Sequence, residues 1–242
     1  KALQYNLNRQ QDRVRLFETG LRFVPGADKS RENLVQEPMI AGLIYGTRAP
    51  EGWTGGKDLV DFYDIKADVE ALVSHLSADD EFTFAPAKHP ALHPGQCAQV
   101  LRNGEPVGVL GTLHPQLQKA LDLPKAPFLF ELSLQGLGDT RLPAFRPLSK
   151  FPEVRRDLAM LVDADVTTGS LQQSVVETAG EFLTDFNIFD VYQGKGIDFN
   201  RKSVAMGLTF QHPSRTLTDE EINAAVDAVV RELEQKYNAS QR

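Results

Sequence analysis

Asp190, Tyr192 and Ser203 carry complementary chemistry and fall on two neighbouring runs that alternate like β-strands. Ser203 belongs to the small-residue side of the run 203–210, opposite its apolar side. On the preceding run, 183–192, the same parity turns Asp190 and Tyr192 outward. A carboxylate, an aromatic ring and a hydroxyl on one open sheet face can hydrogen-bond to and stack on an unstacked RNA base. The spacing therefore predicts a site for an RNA base.

The run 183–192 also contains a conflict of parity. Its alternation assigns Phe189 and Val191 to the helix side of the sheet, and it would leave Phe186 and Ile188 exposed. We therefore expect either a β-bulge in this strand or cover from the first half of the chain.

The rest of the sequence gives only weak signs of a metal site or of a catalytic nucleophile. His89, His93 and Cys97 recur every four residues, as metal ligands on a helix would. Pro90 and Pro94 interrupt any such helix, and no orienting third group accompanies a His/Cys pair. We therefore predict no metal site and no catalytic residue, and we interpret the histidines as turn residues held extended by the proline that follows.

The elements that position Asp190, Tyr192 and Ser203 follow the order β-α-β-β-α-β. The predicted strands are 156–162, 183–192, 203–210 and 238–242, with helices starting at Thr168 and Thr218. The first helix ends at Gly180, and Thr218 forms a capping box with Glu221. This order is the ferredoxin-like arrangement, in which both helices cover one sheet face and leave the other open.

The first half of the chain is typical of an α+β domain with an antiparallel sheet. The strand-like runs are 15–24, 38–46, 81–85, 96–101, 107–113 and 128–134, and the helical runs are 62–76 and 115–121. Few helices separate the strands, which favours antiparallel pairing. A stretch with three prolines and no apolar periodicity surrounds Arg146. The predicted domains are therefore 1–146 and 147–242.

Composition and charge restrict the class of protein and the way in which it could bind RNA. The chain has 242 residues, a net charge of −7 and 41% hydrophobic residues, a composition typical of a globular protein. Both halves are net acidic, so RNA binding would depend on a few specific contacts. No apolar run approaches the ~20 residues of a membrane helix. One cysteine excludes an internal disulfide, which favours the cytoplasm. The chain begins at Lys1, so we expect a piece of a longer protein.

Several short motifs occur along the chain in one order. In the first half they are Tyr5-Asn-Leu-Asn8, Leu16-Phe-Glu-Thr-Gly-Leu-Arg-Phe23, His93-Pro-Gly95, Gly108 to Pro115 and Phe130-Glu131-Leu132. In the second half they are Phe151-Pro152, Arg155-Arg-Asp-Leu-Ala159, Phe189-Asp-Val-Tyr192, Lys202-Ser203 and Thr216 to Ile222. In this combination they resemble the β subunit of bacterial phenylalanyl-tRNA synthetases over essentially the whole chain.

The resemblance implies an (αβ)₂ heterotetramer that uses ATP and magnesium to join phenylalanine to tRNA(Phe), with catalysis in the α subunit. Residues 1–146 would be the later part of a class II synthetase-like antiparallel-sheet module that has lost its active site. Residues 147–242 would be the ferredoxin-like anticodon-binding domain. The residues that match its anticodon contacts are Asp190, Tyr192, Ser203 and Arg242. The chain itself would hold no cofactor.

Two other interpretations stay open. The region could be mainly a subunit scaffold, in which the apolar surface of residues 1–146 is the functional part and RNA contact is incidental. It could also be a ferredoxin-like regulatory module that binds a small molecule, since a fold does not determine a function.

Overall fold

Two antiparallel sheets organise the chain in a computed structural model that describes residues 1–26, 34–53, 55–76, 79–140, 142, 145 and 147–242. They belong to two compact units, Lys1–Ala144 and Phe145–Arg242. Arg146, where the sequence predicts a domain boundary, lies outside the described residues. The mixture of helices with antiparallel sheets is the predicted α+β class. No helix in these ranges is long and apolar enough to cross a membrane.

The first unit is built on a six-stranded sheet with the order β1-β2-β6-β5-β4-β3. Its elements are α1 (Ala2–Leu7), β1 (Val14–Pro25), β2 (Leu34–Tyr45), α2 (Phe62–Ser74), β3 (Phe82–Pro86), β4 (Leu92–Arg102), β5 (Glu105–Leu113), α3 (Pro115–Ala120), β6 (Phe128–Ser133) and α4 (Leu134–Leu137). The sequence prediction missed α1 and α4, because helices of six and four residues are too short to show an apolar period.

Helix α2 covers one face of this sheet. Asp61 caps the helix through its side chain, and Ile65, Val69 and Val73 follow at four-residue intervals and are buried. They pack with Ile44 of β2 in one core cluster. Tyr45, the next residue along the strand, belongs to a separate cluster because successive strand residues face opposite sides.

The second unit has the β-α-β-β-α-β order that the sequence predicts. Its elements are β7 (Val154–Asp163), α5 (Thr168–Ala179), β8 (Leu183–Tyr192), β9 (Arg201–Phe210), α6 (Asp219–Tyr237) and β10 (Ser240–Gln241), with the sheet order β10-β7-β9-β8. Thr218 and Glu221 form the expected capping box on α6. The cap of α5 is Thr167 rather than Thr168, and its hydroxyl accepts from the amide of Ser170 at 3.2 Å.

Helices α5 and α6 pack on the same face of this sheet. Met160, Val204 and Met206 on the strands are fully buried in one cluster with Val175 and Val229 of the helices. Burying a side chain of this size contributes about 1.5–3 kcal/mol. A one-residue slip of the pairing would turn these residues to solvent, so their burial fixes the register of the opposite face.

A β-bulge in β8 resolves the parity conflict. Ile188 pairs with Met206 and Asp190 pairs with Ala205, so Phe189 is the extra residue. Because of this extra residue, Phe186 and Ile188 pack against the core while Asp190 and Tyr192 lie on the other face. The expected bulge is confirmed. The expectation that Phe189 faces the helices is wrong, since its side chain is 50% exposed and lies beside Arg155.

Candidate RNA-binding surface

The sheet face of the second unit that α5 and α6 leave uncovered, here called the open face, brings the predicted residues together in two adjacent cross-strand rows. One row contains Ser240, Leu161, Ser203 and Tyr192. The next contains Ala159, Ala205 and Asp190, and the amide of Arg242 donates to the carbonyl of Ala159 at 2.9 Å. Asp190, Tyr192, Ser203 and Arg242 therefore share one face.

Tyr192 and Arg242 approach each other although they belong to opposite edges of the sheet. The Cζ atom of Arg242 lies 5.9 Å from the centroid of the Tyr192 ring, within the range of a cation–π interaction. The residues between them in these two rows are Ala159, Ala205, Ser203 and Leu161. All but Leu161 have small side chains. The small residues form a low floor that lets the arginine reach across the sheet.

The hairpin loop between β8 and β9 fixes the tyrosine ring. The hydroxyl of Tyr192 donates to the carbonyl of Lys195 at 3.2 Å. A Cβ atom at Gly194 would lie 2.9 Å from the tyrosine Oη and 3.1 Å from its Cζ, so the ring lies against the glycine. Tyr192 as a whole remains 39% exposed and keeps surface available for stacking.

Ser203 departs from the expectation of an outward hydroxyl at the surface. It lies on the open face, as its parity predicts, but only 4% of the residue is exposed. Its partners on the two adjacent strands, Leu161 and Tyr192, both have larger side chains. The hydroxyl thus forms part of the floor, whereas Asp190 is exposed at the edge strand.

The terminal segment is held so that Arg242 reaches this face. Helix α6 ends at Tyr237, and the left-handed backbone of its C-cap Asn238 (φ 49°) turns the chain into β10. The guanidinium of Arg201 donates to the carbonyls of Asn238 at 2.8 Å and Leu161 at 2.7 Å. These bonds join the terminal turn to the strand beside it.

Two other basic residues of the second unit, Lys202 and Arg215, serve the fold. Lys202 donates to the carbonyl of Ala164 at 3.0 Å, and burial lowers its pKa, with the charge of Asp165 opposing that shift. Arg215 holds both carboxylate oxygens of Glu221, at 2.8 and 2.6 Å. Arg155 and Phe189 lie on the open face and were not predicted there; the bulge that places Phe189 was expected, but its position was not.

The first unit contains a cleft of about 430 Å³ on its sheet, beside α1 and the segment that precedes β4. Its ionisable lining consists of Glu18, His89 and Glu131, with Phe17 and Phe130 among the apolar residues. The two carboxylates in this lining would repel the negatively charged phosphates of a nucleoside triphosphate. The described residues also contain no group of three or more metal-ligating side chains that could hold magnesium.

Comparison with known proteins shows the family to which the chain belongs. Residues 1–134 match the family model described as the phenylalanyl tRNA synthetase beta chain CLM domain, and residues 149–242 match the ferredoxin-fold anticodon binding domain. The chain belongs to the phenylalanyl-tRNA synthetase β-chain family. The predicted resemblance is thereby confirmed.

Similar proteins in this family are phenylalanine–tRNA ligase β subunits. That of Pseudomonas syringae pathovar tomato is 58% identical over the whole chain, and that of Pseudomonas putida is 57% identical over the same length. That of Hahella chejuensis is 46% identical over 98% of the chain. The chain spans about 30% of the length of these relatives.

Proposed function

We propose that the chain is the carboxy-terminal, non-catalytic part of a phenylalanine–tRNA ligase β subunit, and that residues 147–242 bind the anticodon stem-loop of tRNA(Phe). The supporting observation is the open face, where Tyr192, Asp190 and Arg242 surround a floor of small residues that includes Ser203. Membership of a family whose model is described as an anticodon binding domain supports RNA as the ligand of this face.

Each side chain has a distinct part in base recognition. The exposed ring of Tyr192 stacks on an anticodon base, and base–aromatic stacking contributes about 1–3 kcal/mol. The carboxylate of Asp190 accepts hydrogen bonds from the base edge, and the guanidinium of Arg242 donates to the base or to a phosphate. Ser203 is 4% exposed, so its hydroxyl reaches a base only if a neighbouring side chain shifts.

Replacing Tyr192 tests the proposal in the assembled enzyme. We expect Tyr192→Ala to lower kcat/KM for tRNA(Phe) about ten-fold, which corresponds to about 1.4 kcal/mol. Tyr192→Phe should lose little, because it keeps the ring and removes only the hydrogen bond to Lys195. Val176→Ala, on the opposite side of the unit in α5, is the matched control for an exposed apolar truncation. Unchanged kinetics in Tyr192→Ala and in Asp190→Ala would remove both residues from the site.

The remaining assignments follow from the family. We place ATP and magnesium with the α subunit of a cytoplasmic (αβ)₂ heterotetramer, as the resemblance to this family implies. Residues 1–146 act as the scaffold for the α subunit. Phe17, Leu21 and Phe23 of β1 support this part, since each is more than half exposed on a long hairpin.

A further inference from the structure

The open face carries a second arginine–aromatic pair, made by Arg155 and Phe189. The Cζ atom of Arg155 lies 5.4 Å from the centroid of the phenylalanine ring. The ring is half exposed, because the bulge in β8 turns it away from the core. The Nε atom of Arg155 donates to Oδ1 of Asp157 at 2.8 Å, which holds the guanidinium on this side of the sheet.

Gly207 provides the floor under this guanidinium. A Cβ atom at Gly207 would lie 2.6–2.8 Å from Nη2, Nε and Cζ of Arg155, so the planar group lies directly against strand β9. Asp157 and Asn187 stand on either side of Gly207 in the same cross-strand row. The pair thus repeats the arrangement of Arg242 and Tyr192, in which an arginine crosses small residues to reach an aromatic ring.

Stability alone gives little reason for this arrangement. Arg155 and Asp157 are both about half exposed, and surface ion pairs of this kind contribute little to folding. Phe189 leaves half of its surface exposed, so it gains only part of the stabilisation that a buried phenylalanine would give. Exposed aromatic rings and guanidinium planes are, in contrast, the groups on which single-stranded bases stack.

We propose that Phe189 and Arg155 form a second stacking platform, which binds a different nucleotide of the anticodon loop from the one on Tyr192. This inference rests on the proposed function of the open face. Gly207 lies four residues from Ser203 along β9, or about 13 Å at the rise of a β-strand. The two platforms are therefore separate but lie on one surface. Asp157 offers an acceptor and Asn187 an amide to the edge of the second base.

The test uses the assembled αβ enzyme and a set of tRNA(Phe) molecules, each lacking one base of the anticodon loop. We measure the Kd of each tRNA for the wild type, Phe189→Ala, Arg155→Gln and Tyr192→Ala. Phe189→Ala should weaken binding of intact tRNA about ten-fold. That loss should disappear with a tRNA that lacks one particular base, and Tyr192→Ala should lose its effect with a different base.

Gly207→Ala is a second route to the same site. It retains both side chains of the pair and forces the guanidinium off its floor, so it should weaken binding in the manner of Arg155→Gln. The controls are Val176→Ala and Arg231→Gln, which lie on the helices that cover the other face. Circular dichroism establishes that each variant is folded. Since Phe189 and Arg155 are exposed, their variants remain informative even when Gly207→Ala does not fold.

The outcomes separate this inference from the proposed function. If Tyr192→Ala depends on one loop base and Phe189→Ala has no effect on Kd, the second platform is wrong and the first stands. If both variants depend on the same base, the face has one platform rather than two. If neither variant changes Kd, both the inference and the RNA-binding role of the face are overturned.

Discussion

Gly194 determines where the Tyr192 ring lies. A Cβ atom there would approach the tyrosine Oη to 2.9 Å. We expect Gly194→Ala to displace the ring and to weaken tRNA binding several-fold, although the tyrosine itself is still present. The free energy of unfolding should change by less than about 1 kcal/mol, because only the end of a partly exposed side chain has to move. Filter binding and urea denaturation measure the two effects.

Gly169 is the matched control for this substitution. It lies in the first turn of α5, and no atom stands within 4 Å of a Cβ added there. Gly169→Ala should leave tRNA binding unchanged and stabilise the helix by at most about 1 kcal/mol. Equal binding by Gly194→Ala and Gly169→Ala would show that the position of the ring is unimportant.

At the scale of one element, helix α6 depends on the ionised carboxylate of Glu221. The hydrogen bond from Arg215 and that from the backbone amide of Thr218 hold the pKa of Glu221 at about 2, below its ordinary value of 4.5. The carboxylate therefore stabilises the folded state fully above about pH 4.5, and this contribution is lost as the pH falls from about 4.5 to about 2. Glu221→Gln should be less stable than the wild type at pH 7, with the difference shrinking through that window.

The measurement is urea denaturation at a series of pH values, with Glu234→Gln as control. Glu234 is exposed near the other end of the same helix, so its replacement tests the loss of a carboxylate that is not part of the cap. A stability difference between Glu221→Gln and the wild type that stays constant from pH 7 to pH 2 would contradict this account. Thr218→Ala should cost about 1 kcal/mol through the same cap.

At the scale of the whole molecule, we expect the first unit to bind the α subunit and the second unit to bind the anticodon loop. The core cluster of the second unit contains only residues of that unit. An enzyme whose β subunit lacks residues 147–242 should therefore still assemble with the α subunit. In footprinting of tRNA(Phe), it should lose protection of the anticodon loop and keep protection elsewhere.

A substitution on the hairpin β1–β2 tests the complementary role of the first unit, which is assembly with the α subunit. Phe17→Glu places a charge on its most exposed apolar side chain and should impair copurification with the α subunit. A truncated β subunit that still protects the anticodon loop would contradict the division of work. Failure of the truncated subunit to assemble would assign the second unit a structural part as well.

Most of the second unit could be predicted because its local signals agree. The alternation of 203–210, the capping box at Thr218 and the glycine after α5 each place an element where the structure has it. The shared face of Asp190, Tyr192 and Ser203 followed from parity alone. Arg242 was named only through the family resemblance, since the pairing of a two-residue strand leaves no pattern in sequence.

The sequence by itself determined the order of the elements and the side of the sheet on which each alternating residue lies, because period and caps are local properties. Only the tertiary structure decided that Phe189 occupies the bulge and turns outward under Arg155. It also decided that Ser203 is nearly covered and that Arg242 reaches Tyr192 across the sheet. These features depend on cross-strand register and on the relative size of neighbouring side chains, which are set when separate segments pack together.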